Sequence, residues 1–125
     1  MDKIVTFIED VGENIGLSSS LVMSLNLALE EAIANVIMYA YPNEEGKHNI
    51  GLNAEYDKGQ LIFTLIDCGV PFDPTKTPEA DVTRSAQDRP IGGLGIFLIR
   101  KIMDKVSYLR VNNENHLIMK KRIAE

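Results

Sequence analysis

Hydrophobic positions recur along this chain with two different periods, and the change from one to the other divides it. Over residues 2–15, Ile4, Val5, Phe7, Ile8, Val11 and Ile15 keep close to helical spacing, which predicts an amphipathic helix stopped by Gly16. Gly12 is a poor helix former inside it. Ser18, Ser19 and Ser20 supply N-cap candidates for a second, longer helix that runs to about Tyr41. Pro42 and the cluster Asn43-Glu44-Glu45-Gly46 end it. At ~100° per residue, Leu25, Leu29, Ala32, Val36 and Ala40 fall on one stripe, predicted to lie on a sheet. The opposite side (Leu27, Ala34, Ile37, Met38, Tyr41) is also apolar, which predicts cover by another element or by a partner chain.

From His48 the period becomes two. Ile50, Leu52, Ala54 and Tyr56 alternate with Asn49, Gly51, Asn53 and Glu55, the pattern of a half-buried strand. Asp57-Lys58-Gly59 reads as a hairpin turn, and Gln60–Cys68 as the returning, more deeply buried strand. Periodicity is then lost from Gly69 to Ile91, a stretch that holds four of the chain's five prolines. A loop of that length is usually functional, and here a lid at about 70–91 is expected. Gly92-Gly93-Leu94-Gly95 then opens an amphipathic helix reaching about Asp104, with Arg100, Lys101 and Lys105 suited to the negative end of its dipole. Val106–Val111 and His116–Arg122 read as a closing hairpin around Asn112-Asn113-Glu114-Asn115. Helices over one face of a mixed, mostly antiparallel sheet make this an α+β, two-layer sandwich.

Composition narrows the function classes. The 125 residues suggest one domain spanning 1–125. A net charge of −5 argues against direct nucleic-acid binding or an anionic membrane surface. A single cysteine, Cys68, excludes an internal disulfide and a Cys-cluster zinc site. With no signal peptide and no uninterrupted apolar run near the ~20 residues that span a bilayer, a cytoplasmic protein is expected.

Three stretches could carry chemistry. Glu31 and Asn35 are an i, i+4 pair, one above the other on the flank of the buried stripe. They are either ordinary flank residues or groups pointing into a cleft. In the second case Asn35 offers a neutral oxygen suited to magnesium, and Glu31 a carboxylate able to orient or deprotonate a hydroxyl. Asp67 ends the apolar run Leu61–Ile66, where a carboxylate must find donors. It either starts a turn or receives an amino group from a ligand. Gly92, Gly93, Leu94 and Gly95 are either a plain loop-to-helix junction or a phosphate cradle, because a helix start leaves backbone N–H groups free. Phe72-Asp73-Pro74 either fixes the lid's entry or is a simple turn. Cys68 is expected to be inert packing in a buried strand, and His48 and His116 to be surface residues. Arg84 and Arg89 are solvated loop charges or reach toward a phosphate or a partner.

Taken in order, these stretches resemble the ATP-binding motifs of the GHKL family (gyrase, Hsp90, histidine kinase and MutL ATPases). Glu31-Ala32-Ile33-Ala34-Asn35 is similar to its N box, Asp67-Cys68-Gly69 to its first glycine box, and Gly93-Leu94-Gly95 to its second. Leu27–Ala32, Gly69–Pro74 and Gly92–Ile99 further resemble the bacterial anti-sigma-factor serine kinases of the RsbW and SpoIIAB type. The resemblance runs from about residue 20 to the C-terminus. It implies the Bergerat ATP-binding fold, ATP and Mg²⁺ as cofactors, and the activity of a protein serine/threonine kinase. By that analogy Asn35 holds Mg²⁺, Glu31 is the catalytic base and Asp67 accepts from the adenine amino group. Gly69 and Gly92 to Gly95 complete the nucleotide site. The implied partners are a STAS-domain anti-sigma-factor antagonist, which is the substrate, a sigma factor, and a second copy in a homodimer. A nucleotide-responsive binding module without transfer activity is the alternative. Two departures stand out: Val70-Pro71 replaces the second glycine of the first box, predicting a stiffer lid hinge, and the family's opening edge strand is missing or supplied by a partner.

Overall fold

Local chemistry sets each helix end. Gly16 adopts φ +72°, which stops α1 (Asp2–Ile15), and the Ser18 hydroxyl accepts from the Leu21 N–H at 3.2 Å to start α2 (Ser19–Asn35). The computed structural model describes residues 2–41, 50–76 and 93–123, and the side chains of 7–41, 50–76 and 95–123. Gly12 has a packing reason to sit within a helix. A Cβ there would lie 2.7 Å from the Val22 Cγ2, so its absence lets α1 and α2 close on each other. Ser18→Ala removes the cap at an exposed site. The expected loss is about 1 kcal/mol of unfolding free energy, read as a lower urea midpoint with an unchanged slope.

Directly after Asn35 the helix widens into a π-helical turn, Val36–Ala40. Next come β1 (Ile50–Asp57), β2 (Gln60–Asp67), a short 3-10 turn (Pro74–Lys76), α3 (Gly93–Ile102), β3 (Lys105–Val111) and β4 (Glu114–Arg122). The four strands form one antiparallel sheet in the order β1-β2-β4-β3. Two-residue turns join both hairpins. Lys58-Gly59 and Asn112-Asn113 each place two successive residues at positive φ, the geometry that matches strand twist.

The inner face of the sheet is read off the register. Leu61, Phe63 and Leu65 on β2 face Met119 and Leu117 on β4, and all five are buried. Against them pack the predicted stripe of Leu25, Leu29, Ala32, Val36 and Ala40, together with Ile8 from α1 and Ile96 and Ile99 from α3. Each large side chain fully buried in this layer stabilises the fold by roughly 1.5–3 kcal/mol. The α+β sandwich follows from this packing. Ser19–Ala40 is long and apolar enough by composition to cross a bilayer, yet here it is the helix that seats the core.

Several expectations need correction. Tyr41 does not join the exposed side of α2, because the π turn advances the chain by an extra residue and swings it inward, where it is buried. Leu27, Ala34, Ile37 and Met38 of that side are exposed, and no described element covers them; Met23, which the pattern does not single out, is 73% exposed beside them. Tyr56 shares the inward register of β1 yet is 46% exposed, since it lies at the end of an edge strand. Cys68 is exposed rather than packed, because the strand ends at Asp67 and the alternation ends with it. Glu114 and Asn115 belong to β4, not to the turn. Gly92, His48, Arg84, Arg89 and residues 77–91 of the expected lid lie outside the described residues.

Candidate nucleotide site

The three motifs meet at one end of the sheet. Glu31 and Asn35 are both half-buried, one turn apart on the last stretch of α2. Asn35, Ala32 and Val36 line a small recess with Asp67, Phe72, Pro74, Tyr108, Asn115 and Leu117. Gly95, in the first turn of α3, touches Asn35 directly: a Cβ on Gly95 would fall 2.9 Å from the Asn35 Nδ2 and 3.2 Å from Oδ1. The second glycine box thus lacks a side chain where the N-box amide stands. The backbone of Gly93, Leu94 and Gly95 opens α3 beside it, and a helix start carries unpaired N–H groups.

Gly69 has a similar reason to be glycine. A Cβ there would lie 2.4 Å from the carbonyl oxygen of Ala40 and 2.8 Å from its Cβ. The adjacent Val70 N–H donates to that carbonyl at 2.9 Å, and the Cys68 N–H donates to the Tyr41 hydroxyl at 2.9 Å. The first glycine box is therefore pinned to the π turn, five residues beyond Asn35. Phe72 extends the seam by stacking on Tyr39, ring centroids 5.0 Å apart. Asp73 accepts from the Thr75 N–H at 2.8 Å, an Asx turn that starts the 3-10 segment, and Arg100 of α3 donates to the Thr75 carbonyl at 2.6 Å.

Asp67 is 2% exposed. Its Oδ1 accepts from the Gly69 N–H at 2.9 Å and from the Asn115 Nδ2 at 2.9 Å, whereas Oδ2 accepts from no described residue. A carboxylate lining a recess with one oxygen still open fits a ligand amino group. The fit to a divalent cation is of another kind. Among the described residues no three His, Cys, Asp or Glu side chains cluster as a metal site. A cation here would be held by the Asn35 oxygen together with the phosphates and waters it brings, as magnesium commonly is.

The sequence pattern places Asn115 in a turn and gives it no role in the site. It is 3% exposed and stands opposite Asp67 in the β2–β4 ladder. Its Oδ1 accepts from the Tyr108 hydroxyl, from the Arg110 Nη1 at 3.2 Å and from the Phe72 N–H at 3.3 Å, while Nδ2 also donates to the Val70 carbonyl at 2.9 Å. Arg110 donates further to the Gly69 carbonyl at 2.9 Å. A signal was available: Asn115, Leu117 and Met119 alternate with His116 and Ile118, so the asparagine continues an inward-facing row.

Residues 1–121 match the sequence model of the histidine kinase-like ATPase domain. The chain is 33% identical to serine-protein kinase RsbW of Oceanobacillus iheyensis, over 92% of this chain and 74% of that one. It is 30% identical to serine/threonine-protein kinase BtrW of Bordetella bronchiseptica, over 82% of this chain and 71% of the relative. With serine-protein kinase RsbW of Halalkalibacterium halodurans it shares 31% identity over 79% of this chain and 62% of that one. The shared model, these relatives and the meeting of the N box with both glycine boxes lead to one conclusion: the chain belongs to the histidine kinase-like ATPase domain family, the GHKL family that its motifs resemble.

Proposed function

We propose that this chain is an ATP–Mg²⁺-dependent protein-serine kinase acting in the cytoplasm as an anti-sigma factor. Its substrate is a STAS-type antagonist, and it sequesters a sigma factor when not engaged with that antagonist. The observation that carries this reading is the contact of Asn35 with Gly95 beside a recess that Asp67 also lines. Support comes from the relatives, whose names are those of serine and serine/threonine kinases.

Phosphoryl transfer demands mainly positioning and neutralised charge, which bound Mg-ATP supplies together with the phosphoryl group. The residues divide the remaining work. Asp67 accepts from the base amino group through Oδ2. The first-turn N–H groups of Gly93, Leu94 and Gly95, with Gly92 before them, hold phosphate oxygens, and the bare Cα of Gly95 keeps the Asn35 amide in place to hold the cation. Glu31, one turn before Asn35, takes the proton from the acceptor serine hydroxyl. A homodimer would cover the exposed Met23, Leu27, Ile37 and Met38 face of α2.

A STAS-domain protein encoded beside this chain, incubated with it and Mg-ATP, should gain the mass of one phosphate. ATP–Mg²⁺ should also raise the melting temperature, since a ligand that binds only the folded state stabilises it by about 2.7 kcal/mol at one hundred times its Kd. Melting unchanged by saturating Mg-ATP would overturn the nucleotide reading. No phosphate on the antagonist, with the shift intact, would overturn the kinase reading alone.

A further inference from the structure

We infer that Asn115 is a positioning residue: it holds the Asp67 carboxylate in the single orientation that recognises a base amino group. The inference rests on the reading of Asp67 as the base-recognising residue.

A buried carboxylate is an acceptor at both oxygens, but it can turn about its Cβ–Cγ bond, so a directed contact requires that its plane be fixed. The cross-strand Asn115 does this. Its Nδ2 and the Gly69 N–H both donate to Oδ1, each at 2.9 Å, which fixes that plane and leaves Oδ2 as the oxygen that accepts from a base. An acceptor matches the 6-amino group of adenine and repels the 6-keto oxygen of hypoxanthine. A site built to hydrogen-bond a substrate group rejects the analogue lacking it, because its own buried polar group is then left unpaired.

The amide can act this way because its own orientation has one solution. The Asp67 Oδ1 and the Val70 carbonyl are acceptors and demand Nδ2. The Phe72 N–H, the Tyr108 hydroxyl and the Arg110 guanidinium are donors and demand Oδ1. A flip would set two acceptors against Oδ1 and three donors against Nδ2. Arg110 is itself held by the Gly69 carbonyl at 2.9 Å. The bracket thus runs from β3 through β4 to β2 and grips both ends of the first glycine box.

A purely structural role for Asn115 would weaken all nucleotides alike, whereas a positioning role changes the preference between bases. The test is the ratio of ATP to ITP affinity, each measured with Mg²⁺ by calorimetry on the full chain. The unaltered protein should prefer ATP by tenfold or more. Asn115→Leu, which removes every hydrogen bond of the amide, should reduce that ratio at least fivefold while ITP affinity stays within threefold. Asn115→Ala removes the same hydrogen bonds without placing a larger apolar group between Asp67 and Arg110, and it should reduce the ratio as much. A full ATP preference in either folded variant overturns the inference. So does failure of both variants to fold, which would make the residue structural. Equal affinity of the unaltered protein for ATP and ITP is a separate outcome: it removes the Asp67 reading and this inference with it.

Discussion

Replacing Glu31 with glutamine is expected to lower phosphoryl transfer by about two to four orders of magnitude, the usual share of a positioned general base, while leaving ATP affinity within about threefold. The exchange is isosteric and keeps a hydrogen-bonding tip. It removes only the capacity to take a proton. Glu31 lies outside the residues that line the recess, whereas Asn35, one turn later, lies within them. Base and phosphate contacts should therefore survive. Single-turnover transfer to a STAS-domain antagonist, compared with equilibrium ATP binding, separates the two quantities. Parallel loss of both would place Glu31 in nucleotide binding. Unchanged transfer would assign the proton to another group, and a chain with no transfer to lose would be the nucleotide-responsive module considered at the outset.

Gly69→Ala is expected to be the most destabilising single methyl in the described part of the molecule. The added Cβ would meet the Ala40 carbonyl oxygen at 2.4 Å, its Cβ at 2.8 Å and its carbonyl carbon at 2.9 Å. Ala40 is 1% exposed at the end of the π turn, so two pieces of buried backbone must part. Overpacking of this kind costs typically 1–3 kcal/mol. Stretching the Val70 to Ala40 hydrogen bond adds about 0.5–1.5 kcal/mol, and the reduced freedom of the unfolded chain returns only about 0.4–1 kcal/mol. The net expectation is a loss of about 2–3 kcal/mol, read from urea unfolding, with weaker ATP binding because Asp67 and Asn35 sit on either side of the seam. A loss under about 0.5 kcal/mol would show that the seam yields. The methyl of a Gly95→Ala variant would instead meet the end of the Asn35 side chain, which can rotate away.

How much of this was legible in the sequence depended on whether the signal was local. The helix stripe, the Ser18 cap, the hairpin turn after β1 and the inward row of β2 are periodic or short-range, and each appears as read, save that Asp57 belongs to β1 and the turn is Lys58-Gly59 alone. Glu31, Asn35, Asp67 and the glycines stand out through motif order, and the placing of Gly95 against Asn35, beside a recess that Asp67 also lines, needed the fold. Tyr41 was misplaced because a 3.6-residue wheel has no provision for a π turn. Cys68 and Tyr56 were misplaced because alternation says nothing about where a strand or a sheet ends. Asn115 was missed because two asparagines already satisfied the turn and a third looked like more of it. Its role depends on Asp67, 48 residues away in sequence, and on the β2–β4 register that pairs them.

That register makes the site a matter of parity. Asn112-Asn113 is a two-residue turn, and it places Val111 opposite Glu114 and Arg110 opposite Asn115. One residue more or fewer in the turn turns every side chain of one strand over relative to the other. Arg110 and Asn115 could then no longer share the inner face, and the bracket around Asp67 would come apart with every contacting residue still in the sequence. Drift in lineages that keep this site is therefore free to change which amino acids occupy the turn, within the demand for positive φ. It is not free to change their number by one.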